Sequence, residues 1–163
     1  MNPITKPSAP RERLRSPSGR KRFNVLGALN AVTQQLITVT NETYISAESV
    51  CELLRKIAAL GLQLPITIIL DNTRYQRCAK VIEMAAALQI ELLFLPPYSP
   101  NLNLIERIWR FIKKQCLYAK YYEDFVQFKQ AIEMCVAETD GIHKEELATL
   151  CSFKFQSFKN LIL

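Results

Sequence analysis

Apolar positions change their period several times along this chain, and each change marks an element. RFNVLGAL (Arg22 to Leu29) and QLITVT (Gln35 to Thr40) are short runs rich in apolar and β-branched residues. They predict two strands with a brief connection, a hairpin. Ser46 is followed by Val50, Leu53, Leu54 and Ile57 at helical spacing, which predicts a helix capped by Ser46 and stopped near Leu60 by Gly61. ITIIL (Ile66 to Leu70) and IELLFL (Ile90 to Leu95) are wholly or largely apolar. Each predicts a strand buried on both faces. Between them a helix is predicted from about Arg74, with Tyr75, Cys78, Ala79, Ile82 and Ala86 inward. After a stiff Pro-Pro-Tyr-Ser-Pro-Asn loop, Asn103 opens a helix to about Tyr118. A further helix is predicted from about Glu123 to Glu138, with Phe125, Phe128, Ile132 and Cys135 inward, and the remainder reads as short and helical. Strands alternating with helices in this order predict an α/β fold, a mixed sheet with helices on its faces.

Charge separates the start of the chain from the rest. Lys6, Arg11, Arg13, Arg15, Arg20, Lys21 and Arg22 face only Glu12, so this stretch carries the whole net charge of +6. Pro3, Pro7, Pro10 and Pro17, with serines among them, oppose helix and favour extended, solvated chain. Residues 1–21 are therefore read as a disordered basic arm suited to a polyanion, or equally as a solvated tail. No apolar run reaches the roughly 18–20 residues of a membrane span, and no apolar stretch follows the basic start as in a secretory signal. Five cysteines without a C-x-x-C pair, and His143 as the one histidine, argue against zinc and for reduced, buried thiols. The four glycines are too scattered for a dinucleotide or phosphate-loop fingerprint.

Two carboxylates stand where chemistry is commonly placed. Asp71 ends the strand ITIIL, and ligands of open α/β sheets bind outside the carboxyl ends of strands. The bland alternative is that Asp71 or Asn72 caps the following helix. Glu106 occupies the corresponding position of the next strand–helix unit. On a helical wheel Leu104, Ile105, Ile108, Phe111, Ile112 and Cys116 form an apolar arc with Trp109 at its edge, and Glu106 lies opposite with Arg110 and Lys113. There the alternative is an exposed Glu106–Arg110 pair. Two carboxylates converging from such positions can hold a divalent cation, and Arg107, Arg110, Lys113 and Lys114 can meet DNA phosphates.

LDNTRYQR around Asp71 and LPPYSPNLNLIERIWRFIKK around Glu106 resemble the signature segments of mariner-related bacterial insertion-sequence transposases of the DDE superfamily. The 34 residues between the two carboxylates agree with that family, and the likeness extends from about Pro17 to the C-terminus. It implies a ribonuclease H-like mixed sheet flanked by helices and an Asp-Asp-Glu or Asp-Asp-Asp triad. It further implies DNA cleavage and strand transfer with Mg²⁺ or Mn²⁺. Asp71 and Glu106 would be catalytic metal ligands; Asn72, Arg74, Arg107, Arg110, Lys113 and Lys114 would support them or contact DNA.

The departures from the family matter as much. Its first strand, with the first catalytic Asp, should precede Arg22, yet no Asp occurs before Asp71. The family's N-terminal helix-turn-helix region is also missing, and Gln76 stands where relatives often have His. The expectation is a C-terminal part of the catalytic domain over residues 22–163, lacking the first strand and inactive as this chain alone. Its expected partners are transposon-end DNA and either a homodimer mate or a full-length transposase, with no membrane and no small-molecule substrate. The expected location is cytoplasmic, on the nucleoid. Two alternatives stay open: a non-catalytic DNA- or transposase-binding remnant, and a nuclease on the same fold.

Overall fold

The computed structural model describes residues 21–97 and 102–152. The expected disordered arm, part of the Pro-Pro-Tyr-Ser-Pro loop and the end of the chain fall outside the described residues.

β1 (Asn24–Leu29) and β2 (Leu36–Asn41) pair antiparallel, with Gly27 opposite Thr38. The alternation of β1 serves two layers. Leu26 and Ala28 pack against α1 (Ala47–Ala58), beside Leu53 and Ile57. Val25 and Leu29 face the opposite side, towards α3 (Leu104–Cys116) and α4 (Phe125–Glu138). Successive strand side chains point to opposite faces, so one hairpin can be covered twice.

α1 starts where the sequence predicts. Ser46 is its N-cap residue, the Ser46 N–H donates to Ser49 Oγ at 3.2 Å, and Gly61 takes the left-handed φ of 63° just past the end. β3 (Ile66–Leu70) and β4 (Ile90–Phe94) pair in parallel, joined by α2 (Ala79–Ala87). α2 begins about five residues later than expected. The Thr73 carbonyl instead accepts the N–H groups of Gln76 and Arg77 and closes a turn ahead of it. The buried face shifts accordingly: Val81 and Ala85 are inward, with Cys78, Met84 and Leu88 beside them, while Ile82 is exposed. α5 (Lys144–Leu150) closes the described part of the chain, with Leu147 and Cys151 buried against α3 and α4.

Two expectations need correction. First, among the described residues the strands form two separate pairs, β1–β2 and β3–β4, not one continuous sheet. α1 underlies both, since Leu26 of β1 and Ile66 and Ile68 of β3 meet the same buried side chains of that helix. Second, among the described residues β3 and β4 are covered on one face only. Ile66, Ile68, Ile90 and Leu92 face α1 and α2; Ile69 and Leu93 are each 51% exposed on the other side. There Thr67 Oγ1 donates to Glu91 Oε2 at 2.7 Å. α3 and α4, the helices available to cover that side, are engaged on the hairpin instead.

The architecture is thus a mixed α/β fold of small sheets flanked by helices. No helix among the described residues is long and apolar enough to cross a membrane.

Candidate active site

Asp71 follows the last residue of β3 directly and is half-buried. Its backbone is anchored because the preceding carbonyl, on Leu70, accepts the Leu95 N–H at 2.9 Å. The side chain is not a helix cap: Cys78, seven residues on, holds that position for α2. Instead Asp71 Oδ1 accepts a hydrogen bond from Asn103 Nδ2 at 2.9 Å.

Asn103 is the N-cap of α3, where its Oδ1 accepts the Ile105 N–H at 3.3 Å. Glu106 lies three residues further, in the first turn of that helix, on the exposed face. The structure therefore ties Asp71, at the carboxyl end of β3, through the Asn103 amide to the first turn of the helix that carries Glu106. The bland reading of Glu106 is not met: among the described residues no ion pair forms between Glu106 and Arg110. α3 holds this face outward because Ile108, Phe111, Ile112 and Cys116 are buried opposite it.

Behind Asp71 the chain turns through a polar segment. Asn72 Oδ1, Thr73 Oγ1 and Gln76 Oε1 are buried with no hydrogen-bond partner among the described residues. Burying such oxygens unpaired costs on the order of 1–3 kcal/mol each, and they mark this turn as polar ground beside the carboxylate. Asn72, expected to support the metal ligands or touch DNA, thus turns its oxygen inward. Arg74, Arg110, Lys113 and Lys114 are exposed, as a phosphate-facing set requires.

Arg107 does not share that open face, contrary to expectation. It is half-buried, and its Nη1 donates to the Leu150 and Ser152 carbonyls at 2.9 Å each. An arginine is well suited to the exposed carbonyls at a helix end, so this residue ties α5 to α3. Asn103, predicted from the sequence only to open α3, also joins Asp71 to that helix; Asn three residues before Glu is the spacing of a cap beside its third helical residue.

Among the described residues no three His, Cys, Asp or Glu side chains converge as a metal-binding group. The carboxylates of Asp71 and Glu106 themselves offer only oxygens, the chemistry that Mg²⁺ and Mn²⁺ prefer. A cavity of about 430 Å³ lies elsewhere, between the hairpin and α4, lined by Val25, Leu36, Thr38, Ile132 and Val136 among others. It contains neither carboxylate.

Comparison with known proteins bears on the family and the fold. Residues 3–129 match the family model described as DDE superfamily endonuclease. The match starts earlier and ends earlier than the resemblance carried by the motifs, which runs from about Pro17 to the C-terminus. No curated protein matches the chain. Among solved structures, the chain is similar to one from the cryo-electron microscopy structure of the simian T-cell lymphotropic virus intasome in complex with PP2A regulatory subunit B56 gamma. The TM-score is 0.56 at 16% identity, over 92% of this chain and 65% of that one. This chain therefore spans about two thirds of the length of that structural relative, and the likeness is one of fold.

Proposed function

Because the chain belongs to the DDE superfamily endonucleases, we propose that it is the C-terminal part of the catalytic domain of a mariner-related, bacterial insertion-sequence transposase acting on transposon-end DNA. Asp71 and Glu106 serve as ligands for Mg²⁺ or Mn²⁺. The observation that carries this reading is the Asn103 bridge, which ties Asp71 at the end of β3 to the helix bearing Glu106. The all-oxygen donor set and the buried, unpaired Asn72 Oδ1 next to Asp71 support it. A bound divalent ion would polarise the phosphodiester and ease deprotonation of the attacking water or hydroxyl.

The residues of this chain would do the rest. Arg74, Arg110, Lys113 and Lys114 hold the DNA backbone, and residues 1–21 add a basic arm that engages phosphate beside the catalytic part, 22–163. Asp71 and Glu106 place their charge where the scissile phosphate is to be held. The family uses three carboxylates, and no Asp precedes Asp71 in this sequence. Two carboxylates hold a strongly hydrated ion weakly, and any charge left unneutralised repels the incoming phosphate. This chain alone is therefore expected to bind DNA, at the nucleoid, without cutting it. A nuclease on the same fold would cut without joining.

The test uses the full chain with supercoiled plasmid and with a labelled 3′-hydroxyl donor end, in Mg²⁺ and in Mn²⁺. Salt-sensitive binding without nicking is the expected result. Metal-dependent nicking abolished by Glu106→Gln would keep the carboxylates and overturn the inactivity. Joined donor product would mark strand transfer; nicking without joining would mark the nuclease.

A further inference from the structure

The Asn103 side chain meets two demands at once. The first turn of α3 leaves backbone N–H groups without helical partners, and one of them, on Ile105, is taken by Asn103 Oδ1 at 3.3 Å. That bond fixes which end of the amide is oxygen. The amino end must then point the other way, where it donates to Asp71 Oδ1 at 2.9 Å. An amide has both an acceptor and a donor; serine, threonine and aspartate have the acceptor for the cap but no amino group to reach the carboxylate.

We propose that Asn103 is a positioning residue for the metal site, an inference that rests on Asp71 and Glu106 being the ligands. It takes up one oxygen of Asp71 and leaves the other, Oδ2, to the cation. It also holds the end of β3 against the first turn of α3, so that Asp71 and Glu106 keep a set spacing across the intervening loop. Hydrogen bonds made to metal-bound carboxylates orient them, and their loss typically lowers metal affinity by about 10–100-fold. A residue that only capped α3 would have no such effect, which separates the two roles.

The experiment titrates Mn²⁺ into the isotope-labelled full chain and follows paramagnetic broadening of backbone amide signals near Asp71 and Asn103. Asn103→Ser keeps a good cap and replaces the amino donor by a shorter side chain whose hydroxyl ends short of Asp71, and Asn103→Thr does the same should the serine variant not fold. The expected result is a thermal midpoint close to that of the parent chain with the Mn²⁺ midpoint raised about tenfold or more, and a comparable loss in Asp71→Asn. Asp71→Asn and Glu106→Gln weakening Mn²⁺ binding while both capping variants bind like the parent would overturn the role of Asn103 and leave the metal site standing. Mn²⁺ binding indifferent to Asp71→Asn and Glu106→Gln would overturn the metal site itself, and the role of Asn103 with it.

Discussion

Cys135 is 5% exposed, packed with Cys116, Ile132 and Leu147 between α3, α4 and α5. Burial pushes its thiol up to about 11, with the neighbouring Cys116 adding to the rise. Burial likewise raises the Cys116 thiol. A thiol raised in the folded state favours folding as long as the unfolded chain would also be protonated. That contribution is complete below about pH 9 and is lost as pH rises through about 11. A two-unit rise corresponds to roughly 2–3 kcal/mol. Urea midpoints should accordingly fall between pH 8 and pH 11. Cys135→Ala should lower the midpoint at pH 8 by leaving a small cavity, and should flatten the alkaline decline. An equally steep decline in that variant would place the alkaline sensitivity elsewhere.

Gly27 shows how closely the elements approach. A Cβ built there would lie 2.8 Å from two carbons of the Trp109 ring, on α3. The indole is rigid and lodged between β1 and the rest of the helix cluster, so it can yield only by moving α3 or the hairpin. Overpacking of this kind typically costs about 1–3 kcal/mol. Gly27→Ala should lower the unfolding free energy by that amount, seen as a lower urea midpoint, and shift the fluorescence of Trp109, the one tryptophan in the chain. An unchanged midpoint would mean that α3 sits more loosely on β1 than described. The same contact bears on the site, since β1 sets the height at which α3 presents Glu106.

For the whole molecule, the charge distribution bears on the proposed DNA binding. From Phe23 onward acidic and basic residues balance, so under that proposal attraction to DNA comes from the arm and from local clusters. Arg110, Lys113 and Lys114 form such a cluster on the exposed face of α3, beyond Glu106. Each phosphate contact contributes a slope of about −0.9 to log affinity against log salt. Replacing all three residues by alanine should make that slope shallower by about 2–3, measured by fluorescence anisotropy on a labelled duplex. Arg107→Ala should leave the slope unchanged and lower thermal stability, because its guanidinium is spent on the Leu150 and Ser152 carbonyls. A slope that depends on Arg107 instead would reverse that assignment.

Much of this was legible in the sequence because it is local. Hydrophobic period marked the hairpin, α1, β3, β4, α3 and α4 to within a few residues, and the wheel of α3 found its buried face of Ile108, Phe111, Ile112 and Cys116. The motifs around Asp71 and Glu106 pointed to the DDE superfamily, whose endonuclease model then matched. Period says which side of an element is apolar, but not which neighbour covers it. Ile69 and Leu93 are apolar and exposed because α3 and α4 lie over the hairpin, a choice made by packing alone. Arg107 and Arg110 look alike in the sequence; only the position of α5 turns one inward. The bond from Asn103 to Asp71 spans 32 residues, so it exists only once β3 and α3 have been brought together.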